Sequence, residues 1–489
     1  MILFLLQYED KSNGVEYDSE ARKVIISTPT NLQNFIVPAS VEIIKGGDSS
    51  SKSSFDKCKS TIVSISFEEN SKVNEIDEWV FSYSSLRSID MHACTQLPYL
   101  NCSLFSNSRN LNNIIFPPCI KKICHGCFYN CQSLKSVTIP DSVEELQSYH
   151  EIHKRVFNSY LESVTISSSS NLTTINSDVF YQTKLKYFYI PSKLKTIVVS
   201  AFMGVPIERF DIDPKNQYFK SDGKILYSGN QNNTLHFVSS ITSGSFTIPL
   251  FVTQVNKNCF RGCTVSNIEI HPNLRSIDQY AFCGTHISTF TYNSLITRIE
   301  ALTFLQCSNL ETVEVIDKIV FIGHSCFQSC PKLKNIRLPS SLVEIGDSAF
   351  AGCTVLNDLI IPASLVTMGA SVFKDVRSSF VLNYTLNSRF LMENGLFYQD
   401  DKRVLSGYFD KGEKAITIRS ECTTVSNLVF TSATIQTVTF SNSPELNVGD
   451  NVFTESQVKT INFPSTLKKL GKQCFRNCLQ LEKSHFLEQ

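Results

Sequence analysis

A phenylalanine returns every 22 to 24 residues along most of this 489-residue chain, at Phe81, Phe105 and Phe128, then Phe157, Phe180 and Phe202, then Phe260, Phe282, Phe304, Phe327, Phe350 and Phe373, and finally Phe430, Phe453 and Phe475. Repetition at a fixed period of this length restricts the chain to a solenoid. Each unit is too short to bury an apolar face alone, so neighbours must stack and share one core.

The unit is clearest from Leu333 to Cys353. Ile336 and Leu338 alternate across Arg337, which predicts a short strand with the aliphatic residues turned inward and the arginine outward. Pro339 lacks a backbone donor and ends that strand. Leu342 and Ile345 start a second inward stretch, Gly346 is expected to permit a sharp corner, and Ala349 and Phe350 set a small and a large residue in the middle.

These residues resemble the leucine-rich repeats of the BspA-like surface antigen family, whose pattern L-x-x-I-x-I-P-x-S-V-x-x-I-G-x-x-A-F-x-x-C is matched at Leu333 to Cys353, Leu356 to Phe373 and Val458 to Cys478. The resemblance implies a repeat solenoid, mostly β with short helical turns, forming an arc of roughly fifteen coils. It also implies a recognition scaffold with members implicated in adhesion. Fold alone does not carry that function.

Two gaps of 58 and 57 residues, Phe202 to Phe260 and Phe373 to Phe430, interrupt the period. Each holds a related phrase, Gly223 to Tyr227 and Gly395 to Tyr398, and Gly14 to Tyr17 is a third copy. Alternating apolar residues on both sides of a polar turn predict inserted β-hairpins. Three blocks follow: 1-206, 207-376 and 377-489, each a hairpin plus repeats, expected to share one continuous core.

Lysine plus arginine equals aspartate plus glutamate, 45 each, so no net field recruits nucleic acid or an anionic membrane. No stretch reaches the roughly 20 apolar residues of a membrane-spanning helix. Met1 to Leu6 is apolar but lacks a basic flank and a small-residue cleavage site, and reads as a strand or cap. Location is thus cell surface or secreted by family resemblance, and cytoplasmic by the missing export signal.

The chain has 17 cysteines. Cys131, Cys263, Cys307, Cys330, Cys353 and Cys478 share one repeat position, and Cys127, Cys259, Cys326 and Cys474 stand where the reference unit has Ala349. Repeat-locked placement predicts a ladder of small, buried, reduced thiols. Cys124, Cys127 and Cys131, with His150 and His153, have metal-ligand letters, but the repeat already explains Cys127 and Cys131, and the two histidines lack the i, i+4 spacing of a metalloprotease helix. No nucleophile elbow, dinucleotide fingerprint or P-loop occurs. No catalytic residue, cofactor or metal is therefore assigned.

The outward strand positions are rich in Ser, Thr and Asn, as suits solvated strands. Tyr187 and Tyr189 break that pattern, two residues apart on one strand, and are the candidate contact site for a protein partner. At the other end, the strand near Val458 to Pro464 is expected to be shielded by residues 481–489 or joined to another chain, because an open edge invites pairing. Asn101, Asn171, Asn232 and Asn383 lie in N-x-[ST] sequons, which matter only on an exported chain. A recognition scaffold displayed to host or self proteins leads, and a cytoplasmic interaction scaffold is the alternative.

Overall fold

The computed structural model describes residues 8–10, 14–18, 23–46, 54–147, 155–229, 231, 233–292, 295–377 and 380–486. The apolar start at Met1 to Leu6 and the pair His150 and His153 lie outside them. The chain forms two compact units, Met1–Ile241 and Thr242–Gln489.

In both units the backbone winds in coils whose equivalent strands pair in parallel. The reference coil contributes Asn335–Ile336 and Glu344–Ile345. The first pairs Thr312↔Asn335 and Val313↔Ile336 with the preceding coil, and the second pairs Phe321↔Glu344 and Ile322↔Ile345. Leu333, Ile336, Leu338, Leu342, Ile345, Ala349 and Phe350 are all buried, as the alternation predicts, and Arg337 is exposed. Between the strands, Leu342 N donates to Pro339 O at 3.1 Å, closing a tight turn that a proline opens naturally.

The phenylalanine segment is a third coil-to-coil ladder. Phe304 N donates to Cys326 O at 2.9 Å, Phe327 N to Ala349 O at 2.8 Å, and Phe350 N to Val372 O at 2.9 Å. Helical turns were expected here, yet among the described residues 3₁₀ geometry occurs only at Asp56–Cys58 and Val199–Phe202. Left-handed residues on both sides of most of these phenylalanines explain the difference: Ser348 has φ 54° and Gly352 φ 76° around Phe350, and such residues interrupt a right-handed helix. The corner therefore falls at Ser348, two places after Gly346. Gly346 serves close approach instead, because a Cβ there would lie 2.5 Å from His324 N of the preceding coil.

The rings stack along this ladder. In the first unit Phe81, Phe105, Phe128, Phe157 and Phe180 follow one another at centroid separations of 5.5, 5.5, 5.6 and 5.5 Å. In the second, Phe304, Phe327, Phe350 and Phe373 do so at 5.3, 5.3 and 5.7 Å. Cysteines fasten the same ladder: Cys131 Sγ donates to Phe105 O, Cys307 to Phe282 O, Cys330 to Phe304 O and Cys353 to Phe327 O, all within 3.1 to 3.2 Å. Ser108 makes the equivalent bond to Phe81 O at 2.6 Å. All 17 cysteines are free thiols.

The solenoid has about 19 turns, against the fifteen expected from phenylalanines. One extra coil carries Phe55, which extends the row of rings by meeting Phe81 edge-on at 5.0 Å. Three more begin at Arg209–Ile212, Leu382–Asn383 and Lys483–Phe486 and have no phenylalanine at the usual place.

Each predicted hairpin is present and gains a strand, making an antiparallel meander: Tyr8–Asp10, Val15–Tyr17 and Val24–Ser27; Phe219–Ser221, Ile225–Ser228 and Thr234–Val238; Leu391–Glu393, Leu396–Gln399 and Val404–Tyr408. All three shift register at one place, before Tyr17, Tyr227 and Tyr398, and those tyrosines are buried. The meanders also restore the ring stack where the repeat omits its phenylalanine. Phe237 and Phe210 reach Phe202 at 6.0 and 5.5 Å, while Phe409 stacks on Phe373 at 5.9 Å and Tyr408 meets Phe430 at 5.2 Å.

At the far end of the second unit, Lys483–Phe486 pairs in parallel with Thr460–Phe463. Of the two outcomes expected for that edge, shielding by the following segment is the one present.

Candidate partner-binding surface

The outward face of the strand Tyr187–Ile190 is built by alternation. Phe188 and Ile190 turn inward and are buried, which leaves Tyr187 53% exposed and Tyr189 half-buried on the other side. The neighbouring strand Arg209–Ile212 pairs with it in parallel, Tyr187↔Arg209 and Tyr189↔Asp211. Two tyrosines thus stand beside a row of charged residues.

Each charge has a partner on the same face. Lys186 Nζ lies 2.9 Å from Glu208 Oε1, and the Tyr187 hydroxyl donates to Glu208 Oε2 at 3.1 Å. Arg209 Nε lies 2.7 Å from Asp211 Oδ1, with its guanidinium 5.5 Å from the centre of the Tyr187 ring. The Tyr189 hydroxyl donates to Asp213 Oδ2 at 2.7 Å. Burial, and then the Asp213 carboxylate, push the Tyr189 phenol up to about 12. The bonds from Lys186 and Tyr187 hold the Glu208 carboxyl below its ordinary range, and the Tyr189 bond does the same for Asp213. Tyr187 is left as a pinned, exposed ring in a neutral polar frame. Such a face suits a protein surface better than a polyanion.

The sequence pointed to Tyr187 and Tyr189 but missed Lys186, Glu208 and Arg209, which frame them. It also missed Tyr160, 37% exposed, with Lys135 Nζ 4.8 Å and Lys184 Nζ 5.6 Å from its ring centre. The 22-residue offset from Tyr187 to Arg209 was the available signal, hidden because that coil lacks the usual phenylalanine.

The cysteines with metal-ligand letters diverge. Cys127 and Cys131 are buried in the core, whereas Cys124 is half-buried. Among the described residues no group of three or more His, Cys, Asp or Glu side chains is arranged to hold a metal ion. Nor is any helix of the described residues long and apolar enough to cross a membrane. The sequon residues are engaged: Asn101 Nδ2 donates to Ile76 O at 2.8 Å, Asn171 Oδ1 accepts from Lys193 at 2.6 Å, and Asn383 Oδ1 accepts from Thr385 N at 3.0 Å. Asn232 lies outside the described residues.

The family model for the BspA type leucine rich repeat region matches residues 27–150, 147–209, 231–343, 320–400 and 408–489. Among solved structures, the chain is similar to a leucine-rich repeat protein from Eubacterium ventriosum, at 17% identity over 78% of this chain and 98% of the other, with a TM-score of 0.51. A leucine rich cell surface protein from Faecalibacterium prausnitzii aligns at 18% identity over 99% of this chain and 95% of its own, with a TM-score of 0.45. A leucine-rich repeat protein from Bacteroides ovatus aligns at 21% identity over 77% and 91%, with a TM-score of 0.43. No curated protein matches.

Proposed function

Because the chain belongs to the BspA-type leucine-rich repeat family, we propose that it is a non-enzymatic scaffold that binds a protein partner through the face centred on Tyr187 and Tyr189. One observation carries the reading: Tyr187 is a large ring held rigidly in the open by Glu208 and Arg209. A pre-oriented aromatic loses little freedom on binding, which is what an anchor residue requires. The blocks 1-206, 207-376 and 377-489 then act as successive segments, with the contact face at the end of the first. Adhesion to host or self proteins is the role that family membership suggests.

A second reading, an interaction scaffold inside the cell, is favoured by the 17 free thiols, since exported chains this rich in cysteine normally form disulfides. Labelling intact cells with a membrane-impermeant reagent separates the two. For the contact face, a photo-crosslinker placed at Tyr187 should trap one partner, and that partner should bind the Tyr187→Ala, Tyr189→Ala double variant at least about tenfold more weakly, with folding unchanged. Equal binding by the double variant removes the assignment.

A further inference from the structure

Cys102 and Cys124 occupy adjacent coils of the first unit, and both are half-buried, unlike the buried ladder thiols Cys131, Cys307, Cys330 and Cys353. The strands before them pair Lys122↔Tyr99 and Ile123↔Leu100. Continuing that register sets Cys124 beside Asn101 and Cys102 beside His125, so the two cysteines are one residue out of step. Parallel backbones about 4.8 Å apart, displaced by one residue of about 3.3 Å, give a Cα separation on the order of 6 Å, near the commonest value for a disulfide. Cysteines in the same repeat column lack that offset.

The surrounding chemistry is asymmetric. Cys102 Sγ lies 3.2 Å from His125 Nδ1. The Cys102 thiol also interacts with Cys124, and that interaction, partly opposed by burial, holds the Cys124 thiol below its ordinary value while Cys102 is pushed up. Partial exposure and a thiolate-favouring neighbour are what distinguish a reactive cysteine from a structural one. Cys119 is the internal contrast: it is also half-buried, but it is bound to the backbone carbonyls of Leu97 and Cys94 at 3.2 and 3.5 Å and its thiol is pushed up by burial.

We propose that Cys102, Cys124 and His125 form a redox site that reacts with a hydroperoxide and closes a reversible disulfide between two consecutive coils. The Cys124 thiolate attacks the terminal peroxide oxygen; the O–O bond breaks, Cys124 becomes a sulfenic acid, and the remaining alkoxide leaves as the alcohol after taking a proton from water. Cys102 then gives its proton to His125 Nδ1 and attacks the Cys124 sulfur. The S–S bond forms, hydroxide leaves, and it recovers the proton as water. Two thiols and one hydroperoxide thus yield one disulfide, one alcohol and one water. A small thiol reverses the change, two of its molecules being oxidised to their own disulfide.

The test uses the full chain, fully reduced and then treated with hydrogen peroxide, followed by alkylation and peptide mass spectrometry. The expected result is a Cys102–Cys124 peptide pair and two fewer alkylatable thiols. In Cys102→Ser, dimedone should trap a sulfenic acid on Cys124, and Cys124→Ser should abolish both products. His125→Gln should keep the dimedone adduct but slow disulfide closure by roughly a hundredfold, the scale of a lost general base. The proposal is overturned if oxidation reaches Cys119 as fast as Cys124, if Cys102 pairs elsewhere, or if His125→Gln closes the bond at the normal rate.

Discussion

Replacing Phe327 tests whether the ring stack supports the coils or merely fills them. Phe327 is fully buried and stacks on Phe304 and Phe350, both at 5.3 Å with interplanar angles of 8° and 11°. Phe327→Ala removes the ring and leaves a cavity that backbone ladders on both sides prevent from collapsing, so the cost should be about 3–5 kcal/mol. Phe327→Leu keeps most of the apolar volume and loses chiefly two ring pairs of about 0.5–1.5 kcal/mol each, or about 1–3 kcal/mol. Phe475 provides the comparison: it is only half-buried, stacks on one ring, Phe453, at 5.7 Å, and meets Phe463 edge-on only at 6.5 Å. Phe475→Leu should therefore cost about 1 kcal/mol. Solenoids open segment by segment, so hydrogen exchange of peptides spanning 304–350 and 453–475 is the suitable assay, with urea unfolding as a check. If Phe327→Leu and Phe475→Leu weaken protection equally, stacking between coils is not what stabilises them.

His236 should make the first unit acid-sensitive. It is buried, its Nε2 donates to Ile197 O at 2.8 Å and its Nδ1 lies 2.9 Å from Ser228 Oγ, and burial lowers its pKa to about 4 against an ordinary 6.5. The unfolded chain takes up the proton first, so this contribution is complete above pH 6.5 and is lost as pH falls towards 4, about 3 kcal/mol in all. Urea midpoints followed by the fluorescence of Trp79 should show the loss, and His236→Gln should flatten it; an unchanged pH profile in that variant refutes the assignment. Cys330→Val removes the thiol bond to the Phe304 carbonyl, which keeps its bond from Cys307 N at 3.2 Å, and should cost about 0.5–1.5 kcal/mol, whereas Cys330→Ser should cost less because Ser108 makes the equivalent bond. Equal losses in calorimetry would argue against the thiol as a donor. For the glycines, Gly346→Ala and Gly346→Asn should both destabilise by about 1–3 kcal/mol, since any Cβ meets His324 N. At Gly352, where φ is 76° and no backbone contact is closer than 3.4 Å, Asn should be tolerated better than Ala. Tolerance of Gly346→Asn would return the corner to Gly346.

The fold was legible because its strongest signal is local and repeated. Leu333, Ile336, Leu338, Leu342, Ile345 and Phe350 state their own burial through spacing alone. What escaped detection had lost one half of that signal. Arg209–Ile212 and Leu382–Asn383 begin coils in which a meander replaces the phenylalanine turn, so a count of phenylalanines passes over them. The strands Phe219–Ser221 and Leu391–Glu393 follow no apolar alternation of their own, since pairing within a meander defines them. Gly346 was misassigned because a glycine needed for clearance and one needed for a left-handed bend look alike in sequence. The candidate contact face was half legible for the same reason: Tyr187 and Tyr189 share a strand, but Glu208 and Arg209 reach Tyr187 from a coil without the usual phenylalanine. Cys102 and Cys124 stand in different columns of the repeat, and comparison column by column never brings them together.

The three backbone ladders also bear on how such a surface recognises anything. Strand pairing fixes Tyr187 next to Arg209 and Tyr189 next to Asp211 at the spacing of a parallel sheet, and ion pairs and hydrogen bonds hold the side chains above it. A partner meeting Tyr187 therefore meets a fixed row of donors and acceptors, with little side-chain freedom left to lose. Elsewhere the outward columns carry Ser136 beside Ser163 and Thr138 beside Thr165, which are equally ordered but offer no ring to bury. On the proposed reading, ordered polar rows supply register without much affinity, and an exposed aromatic in such a row supplies the affinity. On the same reading, specificity in this architecture arises where one coil departs from its neighbours, as the strand Tyr187–Ile190 does by carrying an exposed tyrosine on its outward face.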